Sequence, residues 1–506
     1  MTLKPTGFFQ PEALSFEYPR HGHSGVALRG LDVPAAAPEQ ALKGAALRQD
    51  GLAQLPQLSE FDMVRHFTRL SKMNVSIDAG MYPLGSCTMK YNPRINETVA
   101  RLPGLTQAHP MQPDELSQGT LALMHELLEH LKEITGFPAG TLQPAAGAQG
   151  ELTGVLLIRS ALEARGDKRR YILVPDSAHG TNPASAAIAG FEVREVKSLP
   201  DGTVDLESLT QAMNDQVAGL MLTNPNTLGI FEPHIRKIAD IVHDKGGFIY
   251  CDGANMNAQV GIARPADYGM DVLHLNLHKT FSTPHGGGGP GAGPCLCSET
   301  LAPYLPVPRV VKENGHFRLD WNAPHSIGKV STFHGNVGVL VRALSFIRAM
   351  GGEGLREMTE VAVLNANYVR HKLKDVLALA TQAPTLHEVV FSDKGLDAHG
   401  GITTLDLAKR LMDHGFHPPT VYFPLTVHGA LMVEPTESEP REELDRFVAA
   451  VRAVLEEAER EPAVVKSAPH LAPRRRMDEA RAARQTVLRW TPASHPGTGG
   501  NGGPKS

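Results

Sequence analysis

The sequence contains few cysteines. Four occur in 506 residues, and they form no Cys-x-x-Cys pair and no zinc-binding spacing. Two of them, Cys295 and Cys297, are separated by one residue, so they would lie on one face of a strand, where a role in the core is expected. The composition therefore predicts neither a disulfide framework nor a metal site.

Long apolar runs and an excess of one charge are also missing. No apolar run reaches the roughly 18 residues of a membrane helix, and the N-terminus does not resemble a signal peptide. The net charge is −5 with 20% charged residues, and the one basic block is Arg474–Arg476. We expect a soluble, cytoplasmic protein that binds neither nucleic acid nor membranes, and its length predicts two domains with extensions.

The two ends of the chain show little periodicity. Residues 1–60 are rich in Pro, Gly and Ala, as in an extended arm that depends on another surface for its order. An amphipathic helix is predicted over 61–74 from the spacing of Phe61, Val64 and Phe67. From Pro462 the chain is rich in Pro, Arg and Gly, and an irregular tail is expected.

Strands alternate with helices through the middle of the chain. This pattern favours an α/β domain with a mostly parallel sheet, whose ligands bind beyond the carboxyl ends of the strands. A smaller α+β unit is predicted after it. The predicted strands are 171–176, 191–196, 217–226, 248–252 and 272–277, and the predicted helices begin near 114, 150, 183, 205 and 234.

Polar residues follow four of these strands, so their side chains should converge on one edge of the sheet. The segments are Asp176–His179, Thr223–Asn226, Asp252–Asn255 and His278–Lys279. A lysine at an apolar strand end is partly desolvated, which lowers its pKa and lets its neutral amine attack an aldehyde. An acidic residue is also needed in pyridoxal phosphate sites, to keep the ring nitrogen protonated. Lys279 and Asp252 match these two requirements.

Each of three further features allows two interpretations. His179 is either a structural histidine or a residue that lies on an aromatic ring or moves a proton. The small residues Ala145–Gly150 either start an ordinary helix or bind a phosphate with their N–H groups. The glycines of 286–293 lack a phosphate-binding spacing, and both a hinge and tight packing explain them. His278 would face away from Lys279 if the strand continued to its end.

Several sequence blocks resemble glycine dehydrogenase (decarboxylating), the P-protein of the glycine cleavage system, specifically subunit 2 of its split form. The blocks are PLGSCTMKYNP (83–93), QPAAGAQGELTG (143–154), VPDSAHGTNPASAA (174–187), LTNPNTLGIFE (222–232), YCDGANMNA (250–258) and LHLNLHKTFSTPHGGGGPGAGP (273–294), with weaker similarity in DEARAARQTVLRW (478–490).

This resemblance implies the fold of aspartate-aminotransferase-type pyridoxal phosphate enzymes (fold type I), with a small C-terminal domain. It implies a covalent imine between Lys279 and the cofactor, Asp252 on the ring nitrogen and His179 stacked on the ring. The remaining cofactor-binding residues that it implies are Ala146, Gly147, Ala148, Gln149, Asn226 and Ala254. The expected domains are an arm that contacts a partner (1–80), a large cofactor domain (81–330), a small domain (331–461) and an irregular tail (462–506).

The implied reaction is the decarboxylation of glycine, with transfer of the aminomethyl group to the lipoyl cofactor of H-protein. This chain would be the cofactor-bearing half, in a heterotetramer with subunit 1. Two alternatives stay open: another pyridoxal phosphate enzyme, such as an amino-acid decarboxylase or a desulfurase, and a noncatalytic assembly subunit that retains the motif.

Overall fold

The computed structural model describes residues 12–18, 25, 30, 32–37, 58–109, 112–178, 180–285 and 291–488. The chain divides into two compact units, of which the larger spans Ile77–Ala468 and the smaller combines the segments Met1–Ser76 and Pro469–Ser506. Among the helices in these ranges, none has both the length and the apolar composition needed to cross a membrane.

The smaller unit contains the helix predicted near residue 61. It spans Glu60–Lys72 and is capped by Ser59. Two of its side chains, His66 and Arg69, lie 2.8 and 3.2 Å from the carboxylate of Glu12. The unit also contains the 3₁₀ turn Ser15–Glu17 and the helix Glu479–Arg484. This last helix, and Pro462–Ser467 in the larger unit, lie in the segment that we expected to be irregular.

A seven-stranded, mostly parallel sheet forms the centre of the larger unit, as the alternation of strands and helices predicted. Its spatial order is β1-β7-β6-β5-β4-β2-β3. The five strands from β6 to β3 are parallel, and β7 is antiparallel to both of its neighbours. The strands are Ala139–Thr141 (β1), Tyr171–Pro175 (β2), Glu192–Val196 (β3), Val217–Thr223 (β4), Phe248–Gly253 (β5), Val272–Leu275 (β6) and Cys295–Cys297 (β7).

Helices cover both faces of this sheet and bury its strands on both sides, except for the edge strand β3, whose first four residues are exposed. Leu127, Leu131 and Ile238 belong to the core on one face, and Val155 and Ile158 belong to the core on the other. The helices and 3₁₀ turns of this part are Arg94–Ala100, Pro103–Thr106, Asp114–Leu116, Gln118–Thr135, Gly147–Ala164, Thr181–Ile188, Leu206–Ala212, Ile235–His243, Met256–Ala258, Pro265–Tyr268, Leu277–Thr280 and Ala302–Tyr304.

The C-terminal part of the larger unit forms a second, smaller α+β layer, as predicted. A hairpin of β8 (Arg309–Glu313) and β9 (His316–Asp320) precedes it. Its antiparallel sheet has the order β10-β11-β13-β12, from Ala378–Leu379 (β10), Val389–Ser392 (β11), Thr420–Val421 (β12) and Leu431–Val433 (β13). Its helices and 3₁₀ turn are Val337–Leu373, Leu396–Ala398, Thr404–Asp413 and Arg441–Arg460. The first of these helices is broken at Gly351, whose φ is 63°.

The buried lysine Lys90 connects three parts of the larger unit. Its Nζ donates hydrogen bonds to the Glu437 carboxylate (2.6 Å), the Thr280 carbonyl (2.7 Å) and the Asn257 side-chain oxygen (3.0 Å). Thr280 directly follows Lys279, and Glu437 belongs to the small α+β layer. Burial lowers the pKa of Lys90, and the facing Glu437 carboxylate opposes that shift.

We expect Lys90→Met to lower the free energy of unfolding by about 3–5 kcal/mol, because it leaves Glu437 without its cation in a buried site. Urea unfolding followed by circular dichroism measures this loss. Lys132→Met is the control, since Lys132 pairs with Glu129 on the surface and should change stability by less than about 1 kcal/mol. Equal effects of the two substitutions would contradict this interpretation.

Candidate active site

A cavity of about 310 Å³ opens at the carboxyl ends of the central strands. It lies where a parallel sheet is expected to bind ligands. Its lining brings together residues that are far apart in the sequence, including the predicted Lys279 and Asp252. The lining residues are Ser86, Ala146, Gly147, Ala148, Glu151, Thr181, Thr223, Thr227, Asp252, Ala254, Asn255, His274, Asn276, His278, Lys279 and His285.

The buried carboxylate of Asp252 lies near the end of β5. Strand register sets it beside Thr223 of β4 and His274 of β6. Its Oδ1 accepts a hydrogen bond from the Ala254 N–H (2.9 Å) and lies 3.5 Å from His274 Nε2. The hydroxyl of Tyr250 forms a hydrogen bond with the other nitrogen of that histidine. The Ala254 N–H and His274 thus fix the Asp252 carboxylate, which lines the cavity.

A second carboxylate, Glu151, lies beside Asp252. The Thr181 hydroxyl donates to it at 3.0 Å. When the Asn182 amide is oriented so that its nitrogen faces the acids, that nitrogen lies 3.0 Å from Glu151 and 3.3 Å from Asp252. Burial, followed by the charge of Asp252, raises the pKa of Glu151 to about 7. Glu151 therefore keeps its proton up to a higher pH than an exposed glutamate would.

The helix Gly147–Ala164 points its N-terminus at the cavity. Its N-cap residue, Ala146, has extended backbone and contributes no side-chain cap, so the first N–H groups remain available for an anion. A Cβ at Gly147 would lie 2.2 Å from the Asn276 side-chain oxygen. Glycine therefore lets the helix start pack against the Asn276 side chain, which would have to move for any larger residue. Ala146, Gly147 and Ala148 all line the cavity.

Lys279 lies on a single helical turn, Leu277–Thr280, and not on the strand itself, because β6 ends at Leu275. Its Nζ donates a hydrogen bond to the Ser86 carbonyl at 2.8 Å. The turn also corrects the expectation for His278. The alternation of a strand would turn His278 away from Lys279, but in the helical turn both residues line the cavity.

Two histidines next to the lysine are held neutral. The rings of His278 and His285 meet edge to face, with their centroids 4.9 Å apart. Burial lowers the pKa of His278 to about 3, and His285 and Lys279 contribute to the shift. The pKa of His285 is also lowered, by burial and then by Lys279. These rings can form hydrogen bonds in the cavity, but they add no positive charge at neutral pH.

Two predicted site residues use their side chains elsewhere. The amide of Gln149 accepts from the Ala145 N–H and donates to the Val330 carbonyl. The amide of Asn226 donates to the Gly202 carbonyl and accepts from the Leu228 N–H. Neither side chain lines the cavity, because both are needed to shape their own loops. His179 and residues 286–290 lie outside the described residues.

Sequence reasoning missed several lining residues. His274 could have been found, because it is a polar residue in a buried strand and its register sets it opposite Asp252. Glu151 directly follows the small residues Ala145–Gly150, which we considered as a phosphate-binding segment. Ser86 gave no usable signal, since its loop reaches Lys279 across 193 residues of sequence.

The chain matches two family models. Residues 34–312 match "Glycine cleavage system P-protein", and residues 358–470 match "Glycine dehydrogenase, C-terminal domain". A curated relative from Caldanaerobacter subterraneus, named probable glycine dehydrogenase (decarboxylating) subunit 2, is 54% identical over 480 residues, covering 95% of this chain and 99% of the relative. A Pyrococcus horikoshii relative with the same name is 54% identical over 486 residues, covering 95% and 96%.

Solved structures with the same fold include glycine decarboxylase (P-protein) in an inhibitor-bound form, with a TM-score of 0.67, 20% identity and coverage of 82% of this chain and 93% of that one. A Lactobacillus brevis glutamate decarboxylase has a TM-score of 0.63 at 14% identity, covering 85% and 96%. A Thermus thermophilus aspartate aminotransferase has a TM-score of 0.56 at 14% identity, covering 74% and 99%. The expected fold, the aspartate-aminotransferase type, is confirmed.

We expect Glu151→Gln to stabilise the chain at alkaline pH when no cofactor has been added. The folded state binds the Glu151 proton more tightly than the unfolded state, so the wild type loses stability as the pH rises from 4.5 to about 7. Glutamine mimics the protonated acid and removes that loss. The variant should match the wild type near pH 4.5 and exceed it by up to about 3 kcal/mol at pH 8.

Urea unfolding of both proteins across this pH range measures the difference. Glu163→Gln, at an exposed position on the same helix, should give a difference that does not depend on pH. A constant difference for Glu151→Gln as well would show that Asp252 and burial do not shift its titration.

Proposed function

Because the chain belongs to the P-protein family of the glycine cleavage system, we propose that it is a pyridoxal phosphate enzyme that decarboxylates glycine, releases CO2 and transfers the aminomethyl group to the lipoyl cofactor of H-protein. One observation carries this proposal. A single cavity presents the Lys279 amine, the buried Asp252 carboxylate and an uncapped helix N-terminus.

The described residues fit the cofactor group by group. Pyridoxal phosphate presents an aldehyde, a basic ring nitrogen and a phosphate. Lys279 would bond to the aldehyde carbon as an imine, and Asp252 would hold the protonated nitrogen. The N–H groups at Ala146–Ala148 would hold the phosphate. Ala254 belongs to the site through the hydrogen bond that orients Asp252.

When bound, the cofactor supplies an electron sink for the pair of electrons that the lost carboxylate leaves on the substrate carbon. The chain's own residues keep that sink effective. The Ala254 N–H and His274 fix the Asp252 carboxylate, and a fixed anion favours the protonated ring nitrogen. The side chains of Gln149 and Asn226 form hydrogen bonds within their own loops, and their place among the cofactor-binding residues stays a prediction. His179 remains a prediction for the face of the ring.

The neutral histidines His278 and His285 bear on the choice of reaction. Among the described residues that line the cavity, Lys279 is the one lysine and there is no arginine. A substrate carboxylate would therefore be surrounded mostly by neutral groups. Loss of CO2 would move the negative charge from this poorly solvated carboxylate to the substrate carbon and on to the electron sink that the cofactor supplies, so such surroundings favour decarboxylation.

The proposed partners are subunit 1 and lipoylated H-protein, in a heterotetramer of two different subunits located in the cytoplasm. The name "subunit 2" of the relatives supports the need for a second subunit. The segment 1–80 is the proposed contact. Its helix Glu60–Lys72 exposes the side chains of Phe61, Val64 and Phe67, each 58% accessible, and a partner surface would cover such a stripe.

The alternative of another pyridoxal phosphate enzyme, a decarboxylase of a larger amino acid or a desulfurase, is not favoured. Structures of such enzymes share the fold at low sequence identity, whereas the relatives that match nearly the whole chain carry the glycine dehydrogenase name. The noncatalytic alternative predicts a chain that acquires no visible absorbance band with the cofactor.

We expect Lys279→Ala to abolish covalent attachment of the cofactor, because no other described lysine lines the cavity. Wild-type protein incubated with pyridoxal phosphate and reduced with borohydride should carry the cofactor on the peptide that contains Lys279, and mass spectrometry detects it. Lys312→Ala, at an exposed position on the β8–β9 hairpin, is the control and should be labelled like the wild type. A chromophore reducible onto the Lys279→Ala chain would refute this assignment.

Exchange of labelled bicarbonate into glycine tests the activity. We expect exchange when the chain, subunit 1 and lipoylated H-protein are combined, and little or none when any one of them is omitted. Full exchange by the chain alone would remove the need for subunit 1. Release of CO2 from a larger amino acid without H-protein would instead establish the alternative decarboxylase.

A further inference from the structure

The Lys279 amine rests on a loop in an uncommon conformation, which we call the Gly85–Thr88 loop. The Ser86 carbonyl accepts the hydrogen bond from Lys279 Nζ. Ser86 and Thr88 have φ angles of 66° and 46°, and side-chain-bearing residues adopt this left-handed region only where their surroundings hold them there. Something must therefore hold this loop.

Two buried carboxylates of the small α+β layer hold it. The Ser86 N–H donates to Glu388 Oε2 at 3.1 Å, and the Thr88 N–H donates to Glu434 Oε2 at 2.9 Å. The Thr88 hydroxyl also donates to the Glu434 carboxylate. Glu388 directly precedes β11, and Glu434 directly follows β13. Both acids are therefore fixed by one sheet.

The same sheet contacts the loop at its first residue. A Cβ at Gly85 would lie 2.2 Å from the Met432 side chain, so glycine permits this close approach. The Thr420 hydroxyl donates to the Gly85 carbonyl at 2.8 Å. The small layer thus determines the position of the carbonyl that receives the Lys279 amine.

The two acids are crowded together, and this determines how they share charge. Ligand atoms of Glu388, Glu434 and His387 lie within 4.8 Å of one another, and all three residues are buried. Both oxygens of Glu434 accept hydrogen bonds from Thr88, as a carboxylate does. Among the described residues, Glu388 Oε1 has no hydrogen-bond partner, so no donor stabilises a negative charge on that oxygen.

The groups around Glu388 support that assignment. Burial, and then the charge of Glu434, raises the pKa of Glu388 well above its usual range, while the Ser86 N–H and Lys279 oppose the shift. Burial lowers the pKa of His387, so its ring stays neutral. Of the two acids, Glu388 therefore holds a proton to a higher pH than an exposed glutamate would, and Glu434, with both oxygens hydrogen-bonded to Thr88, lies behind the loop that receives the Lys279 amine.

We propose that Glu434, acting through the Gly85–Thr88 loop, is a positioning residue that holds the Lys279 amine in the cavity whenever that amine is not bonded to the cofactor. The inference rests on the proposed function, because it assumes that Lys279 is the attachment point. The amine would return to the cofactor from a fixed position, because the hydrogen bonds of Thr88 to Glu434 fix the loop whose carbonyl receives it.

The test measures how fast the amine engages the cofactor. The full chain is freed of cofactor, pyridoxal phosphate is added, and the growth of the visible absorbance band is followed in a stopped-flow instrument. Borohydride reduction and mass spectrometry then confirm the attached residue. We expect Glu434→Gln to slow attachment by roughly tenfold or more, the factor that about 1.4 kcal/mol produces. Glutamine offers one acceptor oxygen to two donors and turns its own NH2 toward one of them.

Glu388→Gln should leave the rate within about twofold of the wild type, because glutamine resembles the protonated acid and still accepts from the Ser86 N–H. Glu232→Gln is the matched control. Glu232 is a buried acid that accepts hydrogen bonds from two backbone N–H groups, those of Val204 (2.8 Å) and His234 (3.1 Å). It does not line the cavity. The Glu232→Gln variant should lower the melting temperature about as much as Glu434→Gln does, without slowing attachment of the cofactor.

The outcomes separate this inference from the proposed function. If the wild type attaches no cofactor at Lys279, the proposed function fails. If the wild type attaches it and Glu434→Gln does so equally fast, the positioning role fails alone. If Glu388→Gln slows attachment as much as Glu434→Gln does, the assignment of the proton to Glu388 is overturned. The same holds if the wild type contains one divalent metal ion per chain and Glu388→Gln removes that ion.

A second variant covers the case in which Glu434→Gln does not fold. Thr88→Val keeps the shape of the side chain and removes the hydroxyl that donates to Glu434. We expect attachment to slow by roughly threefold or more, since one of the hydrogen bonds that hold the loop is lost. An unchanged rate in this folded variant would overturn the proposal.

Discussion

The buried carboxylate of Asp252 is the constraint on which the site depends. A carboxylate inside a parallel sheet costs several kcal/mol unless hydrogen bonds and a cation compensate its charge. The protein supplies the Ala254 N–H and a histidine at 3.5 Å, and it leaves the cavity side open. Because Asp252 also lines the cavity, its carboxylate is well placed to meet a cationic group there.

The neighbouring Glu151 extends this argument. Two acids that are close together and poorly solvated do not both ionise easily. A second negative charge beside Asp252 would weaken its preference for one cation, so a proton on Glu151 keeps the pair at a single charge. The hydroxyl of Thr181 and the amide of Asn182 contact these acids from the next helix. The polar residues around Asp252 thus influence how much negative charge this side of the cavity carries.

Much of the fold could be predicted from the sequence, because alternating strands and helices have few ways to pack and parallel strands end at one edge. That rule was enough to bring Asp252 and Lys279 together. It could not show that the chain turns into a helix at Leu277 and so brings His278 to the cavity, because one helical turn leaves no periodic signal. It also could not show that the Asn226 and Gln149 side chains form hydrogen bonds within their own loops, because an amide that shapes its own loop looks the same in sequence as one that binds a ligand.

The contribution of the small α+β layer was the least visible from sequence, for a physical reason. Segment 83–90 meets it through contacts that span more than 300 residues, such as Thr88 with Glu434 and Lys90 with Glu437, and no local pattern encodes such pairs. Leu84 even forms a β-bridge with Val433, although we assigned residue 84 to the large domain. Because the same segment supplies the carbonyl that receives the Lys279 amine, any shift of the small layer against the large sheet must move that carbonyl. The two layers therefore cannot be treated as a catalytic part and a passive support.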